Sequence, residues 1–143
     1  MNTTLRHLIL LTLTILMEVI KLNTSTSTIV NSISPTQVLS INNKLRSLGL
    51  NPALKGTKFI NKAIQLLIIS DNEFYILEDI YNEIATNYPS FNSAQIRNAI
   101  KYSLDHRNEN LSIKNFERIF GFEYDKFYFI NSKFIDELTR VVK

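Results

Sequence analysis

Four side chains between residues 95 and 101 could read the edges of nucleobases: Gln95, Arg97, Asn98 and Lys101. An amide can pair with adenine through its donor and acceptor together, and a guanidinium or ammonium group can pair with guanine or hold a phosphate. Such chemistry needs the groups near the N-terminal end of one helix, on the side turned away from the core. On a helical wheel Ile96, Ala99, Ile100, Ser103 and Leu104 form an inward stripe. Ala94, Asn98, Lys101 and Asp105 are then outward, flanked by Gln95 and Tyr102 on one edge and Arg97 on the other. A second set, Lys55, Lys58 and Lys62, stands at i, i+3 and i+7 on one side of an earlier helix. Those lysines can neutralise phosphates and position a duplex, with Ser93 as a further phosphate partner. Spacing alone also describes the solvated faces of any small helical bundle.

The elements that must position these groups occupy Tyr75 to Arg107. Ile76, Leu77, Ile80, Ile84 and Ala85, with Tyr81 and Tyr88 beside them, line one face of a first helix. Pro89 ends it, because proline disfavours helical backbone in the residue before it. After the turn Pro89, Ser90, Phe91, either Asn92 or Ser93 can accept a free backbone N–H and cap the next helix. Two helices joined by so short a turn form the layout of a helix-turn-helix. Upstream, Ser34-Pro35 opens a helix that Gly49 closes, and a helix from Thr57 to about Ile69 buries Phe59, Ala63, Ile64, Leu67 and Ile68. Downstream, Ser112 can cap a short helix ending at Gly121. The aromatic run Phe122 to Ile130 covers the core as an extended or hairpin-like loop, and Asn131 or Ser132 caps a last helix with Phe134, Ile135, Leu138 and Val141 inward.

Leu45, Gly49, Lys55-Gly56, Phe59-Ile60 and Ala63-Ile64, then Ile80-Tyr81, Ile84-Ala85, Tyr88 and Ala99-Ile100, and finally Phe120-Gly121, Asn131-Ser132 and Phe134-Ile135 carry a resemblance. From about Ile41 onward the chain resembles the C-terminal effector domain of the sporulation response regulator family, stage-zero sporulation protein A. It departs by about one extra residue in the turn and a slightly shorter loop after Gly121. The resemblance implies an all-α fold, a compact bundle of about six helices containing a helix-turn-helix. It also implies binding to double-stranded DNA, often as a dimer, and a transcription-regulating role that engages the transcription machinery. Carried over by position, the base-reading face falls on Gln95, Arg97 and Asn98, with Lys101 nearby. The family typically has Arg at the positions of Gln95 and Asn98, and an acidic residue at that of Arg97. Two lost guanidinium forks would forfeit guanine contacts of roughly 1–3 kcal/mol each, and amides there favour adenine. A different or weaker site preference follows, and so does an alternative: a protein-interaction paralogue that keeps the scaffold without specific DNA reading.

The resemblance does not include the family's receiver domain, so control by aspartyl phosphorylation in cis is not expected. Residues 1–22 read instead as an N-terminal apolar helix, with Leu5, Leu8, Ile9, Leu16 and Val19 at helical spacing and Leu10, Leu11 and Leu13 extending the apolar surface around it. Such a helix must be covered, by the rest of the domain or by a second copy of itself, and a homodimer contact is one role that follows. Its uncharged run, Leu8 to Met17, is about half of the ~20 residues that a membrane span needs, and a cytoplasmic protein is preferred over an anchored one. Residues 23–34 are a polar Ser/Thr-rich linker, and 35–143 the effector domain.

Composition agrees with this organisation. The 143 residues are 45% hydrophobic and 20% charged, with three glycines and three prolines, which favours a globular helical domain. A net charge of +3 allows nucleic-acid binding without announcing it. The absence of cysteine excludes disulfides and thiolate metal sites. There is no Gly-rich phosphate loop and no nucleophile elbow, and neither His7 nor His106 has a partner at triad or ligand spacing. His106 beside Asp105 and Glu109 reads as a helix-surface histidine. No enzyme activity, cofactor, metal or small-molecule substrate is therefore expected.

Overall fold

Local signals in the sequence start and stop the helices. A computed structural model describes residues 6–9, 11–12, 33–70 and 76–143. The chain divides into two units, Met1–Ser32 and Ile33–Lys143. In the first, residues 6–9 and 11–12 are helical, and Leu8, Ile9 and Leu11 are exposed. The rest of the expected apolar helix, and the linker up to residue 32, lie outside the described residues. No helix among the described residues is long and apolar enough to cross a membrane.

The described residues of the second unit form an all-helical fold of six α-helices and one 3-10 turn. Helix α1, Pro35–Ser47, starts at Ser34, whose hydroxyl accepts from Gln37 N while the Gln37 side chain accepts from Ser34 N. It ends in a Schellman motif: Gly49 N donates to Arg46 O, and Leu50 N to Leu45 O. Gly49 holds φ at 92°, and a Cβ there would lie 2.2 Å from Asn108 O, so both conformation and space require glycine. The neighbouring α1 carbonyls are taken up by α5, Glu109–Phe120. Ser112 Oγ donates to Leu48 O at 2.6 Å, and Asn115 Nδ2 to Ser47 O at 2.7 Å. Ser112 is thus buried inside α5, and Asn108 is the cap instead. A side chain three residues into the helix has no free N–H to satisfy, and its hydroxyl serves α1.

Helix α2, Lys55–Ile69, begins two residues before the predicted Thr57 and so takes Gly56 into its first turn. Phe59, Ile60, Ala63, Ile64, Leu67 and Ile68 are buried along it. Helix α3, Leu77–Asn87, stops before Pro89. Ile76, expected to face inward, is 59% exposed, because it is the extended residue ahead of α3. Residues 88–92 turn the chain into α4, Ser93–Asp105. There the predicted stripe holds: Ile96, Ile100, Ser103 and Leu104 are buried, and Ala99 packs at the core edge.

Between α5 and the last helix, α6 (Asn131–Val142), the aromatic run closes the core around Phe116. Phe122, Tyr124 and Tyr128 meet that ring edge-on at 5.3, 5.4 and 6.1 Å. The run contains a 3-10 turn, Lys126–Tyr128, which Asp125 caps. Arg107 ties it to α4: its guanidinium lies 3.7 Å from the Phe129 ring centre and donates to Leu104 O, Ser112 Oγ and Tyr124 Oη. Phe134, Ile135 and Leu138 complete the core from α6.

Candidate nucleic-acid interface

Helix α4 is seated by α2, its most extensive neighbour. At Gly56 the two backbones come so close that a Cβ would lie 1.9 Å from Ala99 O and 2.3 Å from Ser103 Oγ. From the other side Asn131 Nδ2 donates to Tyr81 Oη at 3.1 Å and to Arg97 O at 3.0 Å, so one amide stitches α3, α4 and α6 together. Burial holds the Tyr81 phenol above its ordinary pKa, the Asn131 hydrogen bond opposing the shift. The sequence offers Asn131 or Ser132 as the cap of α6. The cap position is in fact Ile130, which offers no side-chain acceptor. Only the approach of three helices reveals the task of Asn131.

With the inward stripe buried, Ala94, Gln95, Arg97, Asn98, Lys101, Tyr102 and Asp105 are all exposed. Their side chains are not equally available. Gln95 Oε1 accepts from Asn92 N at 2.9 Å while Asn92 Oδ1 accepts from Gln95 N at 2.8 Å, a capping box at the start of α4. Lys101 Nζ lies 2.6 Å from Asp105 Oδ2, both groups well exposed. Among the described residues the Arg97 guanidinium and the Asn98 amide have no hydrogen-bond or ion-pair partner. Arg97, Asn98 and Lys101 line one wall of a cleft of about 450 Å³, facing Glu78 and Tyr81 of α3 and Ser132 of α6.

The expected phosphate partners are dispersed. Lys55 sits at the start of α2, its ammonium 4.6 Å from the centre of the Phe91 ring just ahead of α4. Lys58 instead lines a groove against α1 together with Arg46, Leu39 and Asn42. Lys62 is half-buried on α2. Ser93, the first residue of α4, donates its hydroxyl to the Glu78 carboxylate. Lys55 therefore shares the neighbourhood of α4, and Lys58 faces a different helix. His106 stacks on Tyr102 with ring centres 3.8 Å apart. No group of three His, Cys, Asp or Glu side chains able to hold a metal occurs among the described residues.

Searches among curated proteins and among solved structures find no match. The family model described as "Sporulation initiation factor Spo0A C terminal" matches residues 41–142, a span that includes every helix from the middle of α1 to the end of α6. The chain therefore belongs to the Spo0A C-terminal family, a family of DNA-binding regulatory domains and not of enzymes.

Proposed function

We propose that the protein is a sequence-specific regulator of transcription that binds double-stranded DNA with α3 and α4 as its helix-turn-helix. Helix α4 enters the major groove. The observation that carries this reading is the outer face of α4, where an unpaired guanidinium and an unpaired amide, Arg97 and Asn98, stand side by side within its first two turns. In this reading Arg97 and Asn98 read bases, and Lys101 joins them once its exposed ion pair with Asp105 opens. Gln95 reads a base only by releasing its cap. Lys55 contacts a phosphate next to α4, Lys62 one from its half-buried place on α2, and Lys58 one only where the duplex extends toward α1. Residues 1–22 supply the homodimer contact, and no phosphoacceptor domain among these 143 residues controls the protein in cis.

The mixed charge of the cleft, Arg97 and Lys101 against Glu78 and Asp105, also favours a second reading, a protein-interaction module on the same scaffold. Selection of sites from a random duplex pool separates the two. The DNA reading requires an enriched motif that Arg97→Ala and Asn98→Ala change at defined positions, with roughly 1–3 kcal/mol lost per base contact. It also requires affinity that falls steeply with salt. A pool that stays random would leave the interaction module.

A further inference from the structure

We infer that Glu78 occupies the place a DNA phosphate would take at the start of α4, and thereby sets how tightly this face holds DNA. The inference rests on the DNA-binding reading above. The N-terminal end of a helix carries partial positive charge and attracts anions. Helix α4 has no acidic residue in its own first turn, yet that end is not without an anion. The Glu78 carboxylate, reaching across from the first turn of α3, accepts the hydroxyl hydrogen of Ser93, the first residue of α4. Ser93 is the side chain a phosphate oxygen would meet on arriving there. Glu78 also lines the cleft that Arg97, Asn98 and Lys101 wall on the other side, so its charge faces the groups expected to touch DNA. An arriving phosphate must either displace the carboxylate from Ser93 or bind beside a like charge. Each lowers affinity without touching a base.

Asp79 provides an internal control. It too lies in the first turn of α3, carries the same charge and is exposed, but it makes no bond to Ser93 and does not line the cleft. Removing either charge changes the net charge equally, and only Glu78 frees the start of α4.

The test is fluorescence anisotropy of a labelled random-sequence duplex with the full chain, across a series of salt concentrations. Glu78→Gln, which keeps size and polarity, should bind about 5- to 10-fold more tightly at low salt, and its log–log salt slope should steepen by about 0.9, the increment for one added phosphate contact. Glu78→Ala should do the same, while Asp79→Asn should change affinity by about twofold at most. Ser93→Ala combined with Glu78→Gln should lose part of the gain that Glu78→Gln shows alone, because the hydroxyl that the glutamine variant frees is then missing. Equal gains from Glu78→Gln and Asp79→Asn, or no gain from either glutamate variant while the wild type binds with a steep slope, would overturn the role of Glu78. If neither the wild type nor any variant binds with a salt-dependent affinity, the DNA-binding reading itself fails, and this inference with it.

Discussion

A single methyl group at Gly56 distinguishes the packing described above from what helix propensity would suggest. Gly56 lies in the first turn of α2, and by propensity alone Gly56→Ala should stabilise the protein by up to about 1 kcal/mol. The contact with α4 reverses the sign. Carbon atoms pack at about 3.5 Å, and the added Cβ would stand 1.9 Å from Ala99 O. The helices would have to part by roughly 1.5 Å along an interface that buries Ile60, Ile96 and Ile100. Overpacking of this kind costs about 1–3 kcal/mol or more, so a net loss near 2 kcal/mol is expected. In urea, with a slope of roughly 1–3 kcal/mol per molar, the midpoint should fall by about 1 M at unchanged slope. Ser103 Oγ also lies in the path, at 2.3 Å, but a hydroxyl can be removed and a helix carbonyl cannot. The double variant Gly56→Ala/Ser103→Ala should therefore remain destabilised. A Gly56→Ala protein as stable as the wild type would refute the close approach of α2 and α4, and a double variant that regains full stability would refute the assignment of the clash to the Ala99 backbone.

Three further outcomes follow from the same packing. Among the described residues Ser103 Oγ is buried with no hydrogen-bond partner, so Ser103→Ala should be neutral or stabilise by about 1 kcal/mol, read as a melting temperature raised by up to about 4 °C. Arg107→Lys should fail to replace Arg107, because a point ammonium cannot lie flat on Phe129 while donating to Leu104 O, Ser112 and Tyr124. A loss of about 2 kcal/mol in urea unfolding is expected. Burial raises the pKa of Tyr81, so the folded state keeps its phenol neutral where the unfolded chain would ionise it. That contribution is whole below the ordinary tyrosine value of about 10 and declines as the pH rises beyond it. Tyr81→Phe should be less stable than the wild type at neutral pH by about 1 kcal/mol for the lost Asn131 bond, and the gap should narrow above pH ~10 in parallel denaturation curves.

Helix periodicity made the buried half of α4 legible in advance, because burial of Ile96, Ile100 and Leu104 depends on spacing along one element. The exposed half was legible only as a set of outward positions. Whether an outward side chain is available depends on its neighbours, and these come at different ranges. The Lys101–Asp105 pair, four residues apart, and the Asn92–Gln95 box, three apart, are written locally and could have been read from the chain. The Ser93–Glu78 bond spans fifteen residues and exists only because α3 and α4 meet, and the Asn131–Arg97 bond spans thirty-four and exists only because α6 packs on α4. The lysines show the same limit. Lys55 and Lys58 share a helix side by the wheel, yet one meets Phe91 and the other a groove against α1, because different helices flank the two ends of that turn.

Availability also ranks the groups on the outer face of α4 for any task put to them. Freeing Lys101 from Asp105 costs about 0–1 kcal/mol, since both are exposed and water solvates the separated ions. Freeing Gln95 costs more, about 1 kcal/mol, because the start of α4 loses half of its capping box. Arg97 and Asn98 give up only rotamer freedom. A bidentate base contact is worth about 1–3 kcal/mol, so the cap cancels much of what Gln95 could gain, while Arg97 and Asn98 keep nearly all of it. Discrimination between DNA sequences should therefore concentrate on the bases facing residues 97 and 98. A site selected from random duplex should be well defined over those few base pairs and loose beside Gln95.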